Sequence, residues 1–360
     1  MKPKLIILST FLSPFRSGAE ACAEEVALRL AEDFDITIIT ARLKRELPKK
    51  DILEGKVPIR RVGLGNALDK WLFPFLAALA CRGMAHYAPP GQKIILHAVL
   101  ETFAGLALHF CRGVVPGAKR ILTLQTTNRS FLKGPIIRSP HAVTAISSAL
   151  THIAKRKGRK DVTLIPNGID LSLIPAIERV PDRMLYVGRL EKMKGVDVLL
   201  RAYAEIRTDL TSGAELRIVG DGSERAALQQ LAQKIGILDR VKFVGRIGHR
   251  DVYREYAQAE IFCSLPRSEA LGNVFLEAEA CGCAILATNV GGIPDIVEDG
   301  VTGLLIPPDD LSAAVKGLRR LLKDSTFRKT LGDAGRKQAK YFDWSNIAMQ
   351  YKKVYESVLV

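Results

Sequence analysis

The chain is short of several things, and each shortage removes a class of function. Its six cysteines (22, 81, 111, 263, 281 and 283) are scattered through apolar stretches, without the paired spacing of a disulfide framework or a zinc site, so a reducing, cytoplasmic setting is expected. Cys281 and Cys283 form a CxC, but no second Cys or His pair stands nearby, and small buried residues at a helix–strand junction account for them as well as a metal would. Long apolar runs are missing too. The most apolar stretch, IILHAVLETFAGLALHF (94–110), is broken by His97, Glu101 and His109, and reads as a strand followed by a core helix rather than a membrane span. The opening KPKLIILST reads as a strand flanked by lysines, not as a secretory leader. No complete G-x-G-x-x-G is present: GDGSER closes on Arg225 and GLGNAL (63–68) lacks its last glycine, which argues against a nicotinamide cofactor. Aromatic residues make up 6% of the chain and are not interleaved with basic ones as in a stacking platform, so no nucleic-acid partner is expected despite a net charge of +15.

Acid is also scarce, but on one side only. Residues 1–175 carry 26 Lys and Arg against 13 Asp and Glu, a net of +13, whereas residues 176–360 carry 27 against 25. Basic runs at RLKR (42–45), KK (49–50), RR (60–61) and KRKGRK (155–160) suit an anionic substrate or an anionic membrane surface, and a plain solvated surface equally.

What is present is an alternation of short β-branched runs with helical stretches, the pattern of βαβ units and parallel sheets. Strands are expected at 4–9, 35–40, 58–63, 93–97, 120–125, 142–146 and 162–165, with helices near 19–32, 66–87, 101–112 and 147–157. PNGIDLSLIPAIERVPD, with its prolines and weak periodicity, reads as a hinge. A second series then runs MLYVG, LRIVG, VKFVG, EIFCS, AILAT and GLLIP. At 360 residues the chain exceeds one ordinary core, and two α/β domains follow, with a ligand cleft expected beyond the carboxyl ends of the strands.

Two acids concentrate the chemistry. Glu269 and Glu277, separated by seven residues in SEALGNVFLEAEACG, bracket a helix start that follows a strand. The free N–H groups near Leu271, Gly272 and Asn273 make a seat for a diphosphate between the carboxylates. An amphipathic helix with two solvated acids explains the same spacing. Arg189 and Lys194 in VGRLEKMKG supply cations ahead of another helix, and Gly18 in SPFRSGAEACAEE opens a third; a solvated loop and a tight turn are the plain alternatives.

Together these segments resemble the retaining glycosyltransferases of the GT-B fold, of the family 4 or group 1 type, a group similar to phosphatidylinositol mannosyltransferases and to sucrose and glycogen synthases. The resemblance rests on SGAE, LIPNGIDLSLIP, YVGRLEKMKGVDVLLRA, LRIVGDGSER, VKFVGRI and above all SEALGNVFLEAEACGCAILATNVGGIPDIVEDGVTGLLIPP, and covers most of the chain. It implies two Rossmann-like domains at 1–170 and 171–340, with a final helix in 341–360 crossing back to the first. It assigns Arg189 and Lys194 to a donor diphosphate, with Gly18 closing the cleft from the other domain. Glu269 would contact the transferred sugar and Glu277 the ribose. Backbone amides of Leu271, Gly272 and Asn273 would hold the distal phosphate, and Gly245, Arg246 and Ile247 would lie near the base. A UDP-, GDP- or ADP-linked sugar would be the substrate, with no metal and no cofactor. Asp33-Phe34-Asp35 has DxD spacing, yet falls at a helix-to-strand turn away from the expected cleft.

One departure stands out. After RILTL the family often has a histidine facing the donor sugar, and here Gln125 holds that place. Gln125 can bond a hydroxyl but cannot carry a proton. His97 is the remaining candidate for a polar group at the sugar; a histidine satisfied in the core is the alternative. For the acceptor, the basic first domain and DKWLFPFLAALACRGMAHY (69–87) suit docking on the inner face of an anionic membrane with a lipid-linked acceptor or glycan precursor, or else a helix packed into the core. An epimerase or hydrolase on the same fold, or a basic nucleic-acid-binding protein, would be the competing functions.

Overall fold

In a computed structural model, which describes residues 1–360 apart from 16, 129–131 and 210–213, the apolar runs become strands buried on both faces by intervening helices. The chain divides into two units, Met1–Asn167 with Trp344–Val360, and Gly168–Asp343.

The first unit contains strands β1 (Lys4–Leu8), β2 (Asp35–Ala41), β3 (Lys50–Leu53), β4 (Val57–Val62), β5 (Ile94–Val99), β6 (Lys119–Leu124), β7 (Ala142–Ala145) and β8 (Thr163–Leu164). Its helices are α1 (Gly18–Leu30), α2 (Asp69–His86), α3 (Phe103–Val114), α4 (Lys133–Arg138) and α5 (Ser148–Arg156). The sheet order is β3-β4-β2-β1-β5-β6-β7-β8. Every pairing is parallel except β3 with β4. That hairpin turns through Glu54 and Gly55, both at positive φ (47° and 69°), which matches a type I′ turn. Successive β strands run outward from β1 on one side and from β5 on the other, so the order reverses between β1 and β5.

The second unit contains β9 (Met184–Val187), β10 (Leu216–Val219), β11 (Val241–Gly245), β12 (Ile261–Ser264), β13 (Ala284–Thr288) and β14 (Gly303–Ile306). Between them lie α6 (Val196–Glu205), α7 (Arg225–Lys234), α8 (His249–Gln258) and α9 (Asn273–Ala280), followed by α10 (Leu311–Lys323) and α11 (Ser325–Ala339). This sheet is parallel throughout, in the order β11-β10-β9-β12-β13-β14. Here the order reverses between β9 and β12, and a crevice opens beyond the strand ends at such a point.

The last helix, α12 (Trp344–Leu359), belongs to the first unit, where Trp344, Ile347, Tyr351 and Tyr355 join its core. This packing corrects the expectation for His97. The residue lies in mid-sheet on β5, fully buried, with Nε2 2.7 Å from the Thr123 hydroxyl and Nδ1 2.8 Å from that of Tyr355. Burial pushes its pKa down to about 3, so the ring is neutral and both nitrogens are committed to the core. A sugar contact is ruled out by that enclosure. His97→Leu is expected to cost about 1–2 kcal/mol by taking its partner from the buried Tyr355 hydroxyl, the Thr123 hydroxyl keeping Thr144 at 2.7 Å, while transfer per folded molecule stays unchanged; denaturant titration alongside an activity assay checks both. The sign of the linkage is also fixed. Because the folded pKa lies below the unfolded value, the stability this residue supports is present above pH ~6.5 and is lost as pH falls toward 3.

Candidate functional site

The loops after β9 and β12 face each other across the reversal of strand order, and polar contacts of Arg267 and Thr288 fix them there. Arg267, in the β12 loop, donates its backbone N–H to the Met193 carbonyl at 2.8 Å. Its guanidinium forms ion pairs with Asp197 on α6 at 2.9 Å and Asp309 at 2.8 Å, and also donates to the Lys192 carbonyl. Thr288, at the end of β13, donates its hydroxyl to the Pro266 carbonyl at 2.6 Å. These clamps hold Lys194 and Glu269 in register: Nζ and Oε2 lie 2.7 Å apart, with both side chains mostly buried. The other Glu269 oxygen accepts from the Ala270 N–H at 3.0 Å. An ammonium has three donors and the carboxylate takes one, so the pair retains capacity for a ligand.

Two glycines make this approach possible. Gly272 takes φ +94° to begin α9, and a Cβ there would sit 2.5 Å from the Phe275 ring. Gly291, at φ +59°, passes so close to the Glu269 backbone that a Cβ would lie 1.7 Å from its carbonyl oxygen. The GGIP run therefore buttresses the glutamate loop, a role its sequence alone does not disclose.

The α9 amides of Leu271, Gly272 and Asn273 stand at the start of that helix, where the first N–H groups have no intrahelical acceptor. Glu277 lies in the second turn of α9, mostly buried, with His249 Nε2 4.0 Å from its carboxylate. Arg189 is largely exposed and pairs with Glu191 at 2.7 Å, a surface contact of about 0–1 kcal/mol that an anion can displace. Gly245 closes β11, with Arg246 and Ile247 immediately beyond it at the same edge of the sheet. Arg189, Lys194, Gly245, Glu269 and Glu277 thus share the carboxyl-terminal edge of one sheet.

Gln125 and Gly18 belong to the first unit. The Gln125 amide is buried in a reciprocal pair with Asn167, at 3.1 and 3.2 Å. Its backbone N–H donates to Glu101 at 2.9 Å, and Glu101 is itself buried against Lys133 at 2.8 Å. Nothing in the sequence pattern linked Glu101, Lys133 and Asn167 to this loop. Gly18 begins α1 at the order reversal of the first sheet, where Glu20 accepts from the Ser17 N–H at 2.8 Å. Asp33 and Asp35 lie at the opposite, amino-terminal edge, paired with Lys352 at 2.6 Å and Lys4 at 2.7 Å. Among the described residues there is no group of three or more His, Cys, Asp or Glu placed to hold a metal ion, and no helix is long and apolar enough to cross a membrane.

Two family models cover most of the chain: "Glycosyl transferases group 1" matches residues 175–338 and "Glycosyltransferase Family 4" matches residues 16–173. The chain is a member of this glycosyltransferase family. N-acetyl-alpha-D-glucosaminyl L-malate synthase of Bacillus anthracis is 30% identical over 62% of the chain and 61% of its own length. D-inositol 3-phosphate glycosyltransferase of Frankia alni is 27% identical over 95% of both. Among solved structures, sucrose-phosphate synthase of Thermosynechococcus elongatus matches with a TM-score of 0.84 and 22% identity over 99% of both chains. Anabaena HepE in complex with UDP matches with a TM-score of 0.80 and 18% identity over 98% of this chain and 100% of that one. The glycosyltransferase therefore has the GT-B fold, two parallel-sheet α/β domains, with β3 as an antiparallel edge.

Proposed function

We propose that this glycosyltransferase is a retaining, metal-independent hexosyltransferase acting from a nucleoside diphosphate sugar on an acceptor hydroxyl that is lipid-linked or part of a glycan precursor, at the inner face of a membrane. The observation that carries the reading is the Lys194–Glu269 pair at 2.7 Å, set at the reversal of strand order beside the start of α9. In this reading Glu269 accepts from the sugar hydroxyls while Lys194 and Arg189 neutralise the diphosphate. The amides of Leu271, Gly272 and Asn273 bind the distal phosphate, Glu277 takes the ribose, and the base lies against Gly245, Arg246 and Ile247. Gly18 and the α1 amides offer a further anion-facing helix start in the first unit.

The bond from the anomeric carbon to the diphosphate oxygen breaks, and the acceptor oxygen bonds to the same face. The acceptor proton passes to the departing oxygen, so no side chain has to act as a base. Fixed positive charge then stabilises the leaving group, the task that a cation performs elsewhere. UDP is the first nucleotide to test, since the similar HepE is solved with it.

Melting temperature measured against UDP, GDP, ADP and their sugars should rise for one nucleotide class, by ~2.7 kcal/mol of added stability at a hundredfold excess over Kd, and Lys194→Ala should erase the rise. Transfer should survive EDTA, and product NMR should show the donor's anomeric configuration. Inversion, or turnover of the donor with no acceptor, would overturn the reading and favour an epimerase or hydrolase.

A further inference from the structure

We infer that the outer face of α2, together with the adjoining edge of α3, is a docking surface for an anionic lipid bilayer. The inference deepens the proposal of a membrane-borne acceptor by naming the surface that meets the lipid. Trp71, Leu72, Phe75 and Leu79 are 61%, 43%, 58% and 59% exposed. Their spacing puts them on one helical face, opposite the buried Phe73, Ala77, Ala80 and Cys81. A helix that only covers a core presents charge on its outer side, whereas this one presents aromatic and leucine side chains. Trp71 packs edge-on against Phe103 and Phe75 stacks on Phe110, both with ring centroids 4.9 Å apart, so α2 and α3 share one apolar plate.

The sequence that carries this plate is poor in acid. Between Asp69 and Asp161 the single acid is Glu101, against 14 Lys and Arg, and Glu101 is buried on Lys133. Lys70 lies over the Trp71 ring at 5.7 Å, and Arg82 continues the exposed face. Beside the plate runs a groove of about 1030 Å³, in which Lys49, Lys50 and Arg60 of the β3–β4 hairpin stand across from Leu76, Leu79 and Met84. Asp51, the one acid lining it, is paired with Arg61 at 2.8 Å. Cations beside an apolar plate match a phospholipid surface, with headgroups over the lysines and acyl chains under the rings. A second copy of the chain would oppose two faces of the same sign, so charge favours lipid as the occupant. Arg42 is held back from direct headgroup contact, because its guanidinium donates to the Leu47 and Arg45 carbonyls at 2.7 and 2.6 Å.

The two tryptophans supply a built-in probe, since Trp71 is exposed and Trp344 is buried. With vesicles of phosphatidylcholine plus phosphatidylglycerol, Trp71 emission should shift to the blue and be quenched by brominated acyl chains; pure phosphatidylcholine should give little change. The variant Trp71→Ser, Phe75→Ser, Leu79→Ser should partition about 100-fold more weakly while staying folded, its melting temperature lowered by the loss of the Phe103 and Phe110 ring contacts. A second variant, Lys49→Ser, Lys50→Ser, Arg60→Ser, should bind more weakly and lose most of the salt dependence. Equal partitioning of the serine variants, no binding by the native protein, or a blue shift that follows protein concentration without vesicles would overturn the inference. Both variants should keep the nucleotide-induced rise in melting temperature. Loss of lipid binding with that rise intact leaves the transfer reaction standing, and vesicle binding with no nucleotide response in the native protein refutes the transfer reading alone.

Discussion

Glu269→Ala is expected to slow sugar transfer about a thousandfold, some 4 kcal/mol, in a protein that stays folded. The size follows from where the carboxylate stands. It is mostly buried, held 2.7 Å from Lys194, and its loop is fixed by the close passage of Gly291. A hydroxyl-binding carboxylate held in this way adds little to ground-state affinity and more to the transition state, where the ring gains positive charge; the loss should therefore fall on kcat more than on KM. Removing it leaves the mostly buried Lys194 ammonium without its carboxylate, a cost to stability of about 2–3 kcal/mol that the melting curves will register. Glu269→Gln sharpens the test, because it keeps the hydrogen-bonding shape and removes the charge. Steady-state kinetics on both variants, with melting curves, decide the matter: activity within tenfold of the native protein would place the sugar elsewhere.

The site was legible where one residue type had one physical job. The helix start at Asn273, the loop acid Glu269 and the cations after β9 could be read because strand, loop and helix follow one another with clear periodicity. The strands in the two apolar series were legible for the same reason. What escaped were features whose meaning depends on a distant partner. β3 is missing from the sequence reading because its residues are mainly exposed and carry no alternation; the hairpin is set by the Glu54–Gly55 turn. The clamp by Arg267 reaches Asp197 and Lys192, 70 and 75 positions away. For His97 and Gln125 the sequence leaves open what only distant partners decide: a polar residue at the end of or within a strand looks available until Thr123 and Tyr355 for one and Asn167 for the other are in place.

Glu279 carries the second large effect, and it concerns stability rather than chemistry. Two residues beyond Glu277, it turns to the other side of α9, where it is fully buried against α11 at Gly335. Neither carboxylate oxygen has a hydrogen-bond partner among the described residues. Burial pushes its pKa up to about 8, and the nearby Thr302 hydroxyl opposes the shift without cancelling it. A carboxyl raised in the folded state binds its proton more tightly there than in the unfolded chain, so the fold is most stable below the unfolded value of ~4.5 and loses stability as pH climbs to about 8. The full loss is about 5 kcal/mol. Glu279→Met, similar in length and without charge, should abolish that slope: little change in melting temperature at pH 5, and a rise of several degrees at pH 9. His97 acts with the opposite sign at the acid end, so the native protein should show a stability maximum near neutral to mildly acid pH that the Met variant extends upward. A parallel pH profile for the two proteins would mean that Glu279 is ionised and solvated in the fold. Since α9 also presents the amides and Glu277 of the proposed donor site, an ionised Glu279 would loosen that helix, and donor affinity should fall over the same alkaline range in the native protein but not in Glu279→Met.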